Sequence, residues 1–272
     1  MKRYIPLWKW LLFLISAFVL SVIGYGLLGA LLNLCDYPVL NFSATVLLLI
    51  LYFYGVRFLE KENAKDLKIK KLVPDILLGI LVGCLFFGLV VGIMWSTGFC
   101  KISSIPYNWQ QQLSAIIIFF GVAVVEEIIF RGVVFRMIDE RWNTTIALVF
   151  SALLFGFMHI INEGATWWSS FAIAIEAGLL LGAAYKYSGT LWLPIGIHWA
   201  WNYVEGNVFG FAVSGGNEGN SIFKTTVNGP ELITGGSFGP EGSVIAVVIG
   251  IIFSATFLYL HYNKKKERRY RY

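Results

Sequence analysis

The chain has 272 residues, 57% of them hydrophobic and 14% charged, with a formal net charge of +5. A soluble domain averages about 25% charged residues, so the composition excludes an ordinary soluble enzyme and marks an integral membrane protein. Arg57–Lys71 and Lys264–Arg271 hold about half of the Lys and Arg. Such runs beside apolar spans are topology signals and headgroup contacts, so no nucleic-acid partner is expected.

In chain order, eight apolar stretches approach the ~20 residues that cross a bilayer as a helix. They cover 10–32, 39–58, 73–97, 112–136, 144–161, 167–187, 190–211 and 243–262. The first follows a basic start but is too long for a cleaved signal and lacks a clear small-x-small site, so it reads as an uncleaved span. The sixth and seventh are separated by little more than Tyr187-Ser-Gly-Thr190, which predicts a tight helix hairpin. The fold expected is an all-α, polytopic membrane helix bundle of about eight spans, forming a single integral domain over 1–272.

Charge placement orients it. Segments 57–71, 136–143 and 186–190 and both termini carry Lys or Arg; segment 98–111 carries only Lys101, 162–166 none, and 212–242 only Lys224. The alternation places both termini in the cytoplasm of a cell-membrane protein. Trp8, Trp10, Trp95, Trp109, Trp142, Trp167, Trp168 and Trp192 fall near span ends, as in an aromatic belt. Residues 212–242, rich in Gly, read as a flexible outer linker. Cys35, Cys84 and Cys100 have neither metal-ligand spacing nor the look of a disulfide framework.

Polar residues inside the spans carry the chemistry. Glu126 and Glu127 sit in the run Ile116–Arg131, otherwise almost wholly apolar. A carboxylate at a helix centre costs about 2.5–3.5 kcal/mol on insertion scales, so a chain keeps two only where they are paired, wet or used. Glu127 and Arg131 are i,i+4 with the acid first, the favourable order for an ion pair. Glu126 lies about 100° round the helix from Glu127, unpaired and suited to general-base work. His159 and His198 lie in other spans, and His198 shares a helix face with Asn202, which is placed to orient the imidazole or to hold a water with it. By depth, Glu126 and His198 are mid-span, whereas His159 falls near the outer end of its short span. Convergence then needs tilt, a late start for the fifth span or a local water-filled cavity, and Pro194 with Gly196 offers a kink that could shift His198.

Two chemistries fit this set. Glu126, His159 and His198 could ligate zinc. Without metal, Glu126 would take a proton from water while His198 and Asn202 steady the oxyanion. No His-Glu-x-x-His, Gly-x-Ser-x-Gly or aspartyl-protease pair occurs.

Glu126-Glu127-x-x-x-Arg131, Phe155-x-x-x-His159 and His198-x-x-x-Asn202, in that order on successive spans, resemble the three motifs of the CAAX-protease and bacteriocin-processing (Abi, Rce1-like) intramembrane endopeptidases. The text Gly178–Pro194 is also similar, and the resemblance covers roughly 110–205, the expected catalytic core. It implies an eight-span endopeptidase acting on a membrane-associated peptide or protein. Glu126, His159, His198 and Asn202 would be catalytic, with Glu127 and Arg131 supporting. The glutamate mechanism, with no cofactor, is preferred; zinc is the alternative. The rival readings are a proton- or ion-coupled transporter and a non-catalytic partner in bacteriocin immunity or signalling. Substrate, pathway and oligomeric state are left open.

Overall fold

A computed structural model describes residues 6, 8–10, 12, 37–60, 63–104, 108–216 and 220–270. The first expected span lies almost wholly outside them. Six helices among the described residues are long and apolar enough to cross a membrane. They are α1 (Pro38–Phe58), α2 (Ile69–Ser96), α3 (Trp109–Arg141), α4 (Thr144–Ile161), α5 (Trp167–Ser188) and, after the next helix, α7 (Val244–Glu267). The expected span 190–211 is α6, an α-helix over Trp192–Tyr203 that continues as a π-helical turn over Val204–Val208. At 1.5 Å per residue it is roughly 25 Å long, short of a ~30 Å hydrocarbon core. The protein is thus a multi-pass, all-α membrane bundle with six candidate spans rather than a demonstrated eight.

The helix starts have local causes. The Asn108 side chain accepts from the Gln110 and Gln111 amides at α3, and the Asn143 side chain from the Ile146 amide at α4. Thr166 and Ser169 cap α5 reciprocally. The expected hairpin is present: α5 stops at Gly189, whose φ of 68° is the left-handed turn that glycine takes freely. Pro194 lies in the first turn of α6, where its missing N–H costs nothing, and the α-helix runs without a break from Trp192 to Tyr203.

α5 and α6 form the interior. The apolar window of α5 is 72% buried, against 33–39% for the other five candidate spans, where many large apolar side chains such as Leu81, Leu85, Phe150 and Ile252 are exposed. Lipid is as apolar as those side chains, so packing rather than burial from water holds the helices together. The α2–α6 contact shows it: a Cβ on Gly196 would sit 2.7 Å from the Ile76 carbonyl oxygen, and one on Gly79 2.6 Å from that of Leu193. Of the expected belt tryptophans, Trp95, Trp109, Trp142 and Trp167 are exposed, whereas Trp10 and Trp192 are buried.

The two ends differ. At one, Lys186 pairs with Asp139 at 2.6 Å, and the Leu191 amide donates to the Asp66 carbonyl. At the other, strand β1 (Cys100–Ser104) pairs antiparallel with strand β2 (Phe223–Val227), Cys100 opposite Val227. The segment expected to be a flexible linker is folded here. Besides β2 it forms short helical turns at Glu231–Thr234, Gly236–Phe238 and Pro240–Gly242. It packs onto the turn after α4 through Asn162 Nδ2, which donates to the Ser214 carbonyl. Its many glycines serve tight turns: Gly215, Gly229, Gly235, Gly236 and Gly239 all have positive φ.

Candidate active site

Glu127 closes the α-helical part of α3, and Arg131 lies in the π-helical turn Ile128–Phe135 that follows. Arg131 Nη1 donates to Glu127 Oε1 at 2.8 Å, and neither side chain is exposed at all. Arg131 Nη2 reaches the Gly178 carbonyl at 3.1 Å, in a second π-helical turn, Ala174–Leu179 of α5. The guanidinium also lies 4.6 Å from the centre of the Phe155 ring. The pair therefore ties α3, α4 and α5 together, and π-helical turns of this kind are frequent at functional sites.

His198, on the buried face of α6, joins the pair: its Nδ1 lies 3.0 Å from Glu127 Oε1. Glu127 thus has a second role that its i,i+4 spacing did not reveal, and the imidazole is oriented by Glu127 rather than by Asn202. With Nδ1–H donated to a carboxylate, Nε2 faces Glu126 Oε2 at 3.9 Å, beyond direct hydrogen-bond reach. That Oε2 is buried and has no hydrogen-bond partner, although the Glu126 side chain is 27% exposed overall. Glu126 is therefore a carboxylate with one edge open and one aimed at the imidazole.

His159 starts the 3-10 turn His159–Ile161 that ends α4, and its Nδ1–H donates to the Phe155 carbonyl at 2.8 Å, leaving Nε2 free. The Phe155 ring stands between the two histidines, 5.0 Å from His159 and 6.0 Å from His198. Despite the depth mismatch, His159, His198 and Asn202 line one cavity, closed on its outer side by Ser214 and Glu241. The cavity lies where α4 ends, beside Ser214 and Glu241 of the segment 212–242, and His159 in the last turn of α4 reaches it there. Its volume is about 20 Å³. A cavity needs about 10–15 Å³ by this measure to hold one water, so it suits a single water and not a peptide. Glu126 does not line it and approaches it past His198.

Zinc needs ligands at ~2.0–2.2 Å. Among the described residues no three His, Cys, Asp or Glu side chains gather closely enough to hold a metal ion. Glu126, His159 and His198, the ligands of the alternative zinc reading, do not form such a group in this structure.

Three buried acids were overlooked in the sequence: Glu176 in α5, Glu205 in α6 and Glu241 in the outer segment. Glu176 and Glu205 sit in apolar surroundings, the same signal that singled out Glu126 and Glu127.

Residues 108–204 match the family of type II CAAX prenyl endopeptidase Rce1-like proteins. The segment carrying the site is Rce1-like. That stretch spans α3 to α6 and contains all six residues singled out by motif, and the family is one of proteases. Neither the curated proteins nor the solved structures include a match to the chain. α1, α2, α7 and the outer segment lie outside the Rce1-like stretch.

Proposed function

We propose that the protein is an intramembrane endopeptidase of the cell membrane, with cytoplasmic termini, hydrolysing a peptide bond of a membrane-associated peptide or protein without a metal. The observation that carries this reading is the one-water cavity between His159, His198 and Asn202, with Glu126 Oε2 unpartnered beside His198 Nε2. Glu126 takes a proton from a water bridging its Oε2 and His198 Nε2 at the edge of the cavity, and the water oxygen adds to the carbonyl carbon as the C=O electrons move onto oxygen. The Asn202 side-chain amide donates a hydrogen bond to that oxyanion, while Nε2 of His198 or His159, whose Nδ1–H is already engaged, accepts the other hydrogen of the water. Its collapse breaks the C–N bond, and Glu126 returns the proton to the leaving amine. General-base and oxyanion contributions of this kind are worth about 10²–10⁴-fold and 10²–10³-fold in rate. Glu127 and Arg131 hold His198 in place and take no part in proton transfer.

The experiment uses purified protein in liposomes, membrane-anchored peptides with varied juxtamembrane sequence, and mass spectrometry of the products. A pH-sensitive dye inside the vesicles runs in parallel. Site-specific cleavage supports the peptidase reading. Proton movement without cleavage supports the transporter, and neither leaves the binding partner.

A further inference from the structure

The outer wall of the histidine cavity is acidic. Glu241, at the end of the segment that folds over the bundle, lines the cavity beside Ser214. Its Oε2 accepts from the Ser214 amide at 2.8 Å and the Ser214 hydroxyl at 2.6 Å. Behind it lies Glu205, whose Oε2 accepts from Trp201 Nε1 at 3.1 Å and whose carboxylate interacts electrostatically with that of Glu241. Glu176, wholly buried, is the third carboxylate of the group. Its neighbours Ile173 and Ala177 line the cavity, as does Trp201.

What sets this group apart is missing compensation. Both oxygens of Glu176 and Oε1 of Glu205 are buried without a hydrogen-bond partner. Among the described residues no Lys, Arg or His pairs with any of the three. The Glu127–Arg131 pair shows that this fold supplies a cation where a buried carboxylate needs one. Carboxylates clustered in a membrane bundle call for a positive charge or bound protons. Among the described residues no three His, Cys, Asp or Glu side chains gather at metal-ligand distance around them. Of the three acids Glu241 lines the cavity, and a cavity of about 20 Å³ admits a peptide only if part of its lining gives way.

We infer that Glu241, backed by Glu205 and Glu176, forms a specificity subsite that takes the ammonium or guanidinium of a substrate lysine or arginine beside the scissile bond. The cationic side chain replaces Ser214 as the partner of Glu241, so recognition and opening of the outer wall are one event. This rests on the peptidase reading of the same cavity.

The test uses full-length protein in liposomes and a membrane-anchored peptide library in which the residues around the cleavage site carry Lys, Arg, norleucine, Gln or Glu. The expected result is cleavage of Lys or Arg peptides about tenfold faster than norleucine peptides, with Glu peptides slowest. In Glu241→Gln and Glu205→Gln that ratio falls towards one. Because the ratio is internal to each sample, reduced folding of a variant does not obscure it. Wild-type protein that cleaves all peptides without regard to charge overturns the subsite and leaves the peptidase standing. A preference unchanged in Glu241→Gln overturns it as well. Failure to cleave any peptide, charged or neutral, brings down the peptidase reading on which it rests.

Discussion

Glu127 Oε1 is shared by two donors, Arg131 Nη1 at 2.8 Å and His198 Nδ1 at 3.0 Å. One carboxylate oxygen thus couples the buried charge of α3 to the orientation of the α6 imidazole. Removing the negative charge would strand Arg131, which is wholly buried, with its Nε already lacking a partner. Breaking one side of a buried pair costs about 3–5 kcal/mol, whereas replacing both by apolar groups of similar volume is often neutral.

Glu127→Gln and Arg131→Ala should each lower folded yield and the thermal unfolding midpoint in detergent. The double variant Glu127→Gln/Arg131→Met should recover part of that loss and still fail to cleave peptide, because His198 loses its anchor. A double variant as unstable as the sum of the single changes would count against the pair as the origin of the effect.

The close approach of α2 and α6 places His198 by backbone contact. Gly196→Val would push its side chain into the Ile76 carbonyl. Overpacking of this kind costs about 1–3 kcal/mol and displaces the helix. The expected outcome is a lower unfolding midpoint together with loss of cleavage, while Gly88→Ala, where a Cβ meets nothing within 4 Å, leaves both unchanged. Equal behaviour of the two variants would contradict the packing argument.

The Glu127–Arg131 pair was legible from spacing alone, because i,i+4 neighbours meet on any helix. Its link to His198 was not, since that depends on how α3 and α6 are rotated against each other. Nor do hydrophobic patterns reveal the π-helical turns Ile128–Phe135, Ala174–Leu179 and Val204–Val208, which lie beside or contain the buried acids. His159 seemed too shallow because depth was counted from a bilayer midplane, whereas the cavity lies under the outer segment. That segment was read as a linker from its glycines, yet positive-φ turns let it fold over the site. Seven of the eight apolar stretches match described helices to within a few residues, apart from ends that run on by up to five. Turn chemistry at Asn108, Asn143, Thr166 and Gly189 fixes several of those ends.

The proposed metal-free mechanism makes a direct prediction. Purified, active protein should contain less than stoichiometric zinc by elemental analysis, and a strong chelator should leave the rate of peptide cleavage unchanged. Stoichiometric zinc whose removal abolishes cleavage, and whose return restores it, would overturn the assignment of water activation to Glu126 alone.

The central claim is that Glu126, the unpartnered carboxylate beside His198 Nε2, activates the water. Its most direct test is the cleavage rate of Glu126→Gln in liposomes, at an amount of folded protein matched to wild type by size exclusion. Gln preserves shape and removes the base, so a loss of at least about 100-fold is predicted with an unchanged unfolding midpoint. Cleavage within a few-fold of wild type would contradict the account.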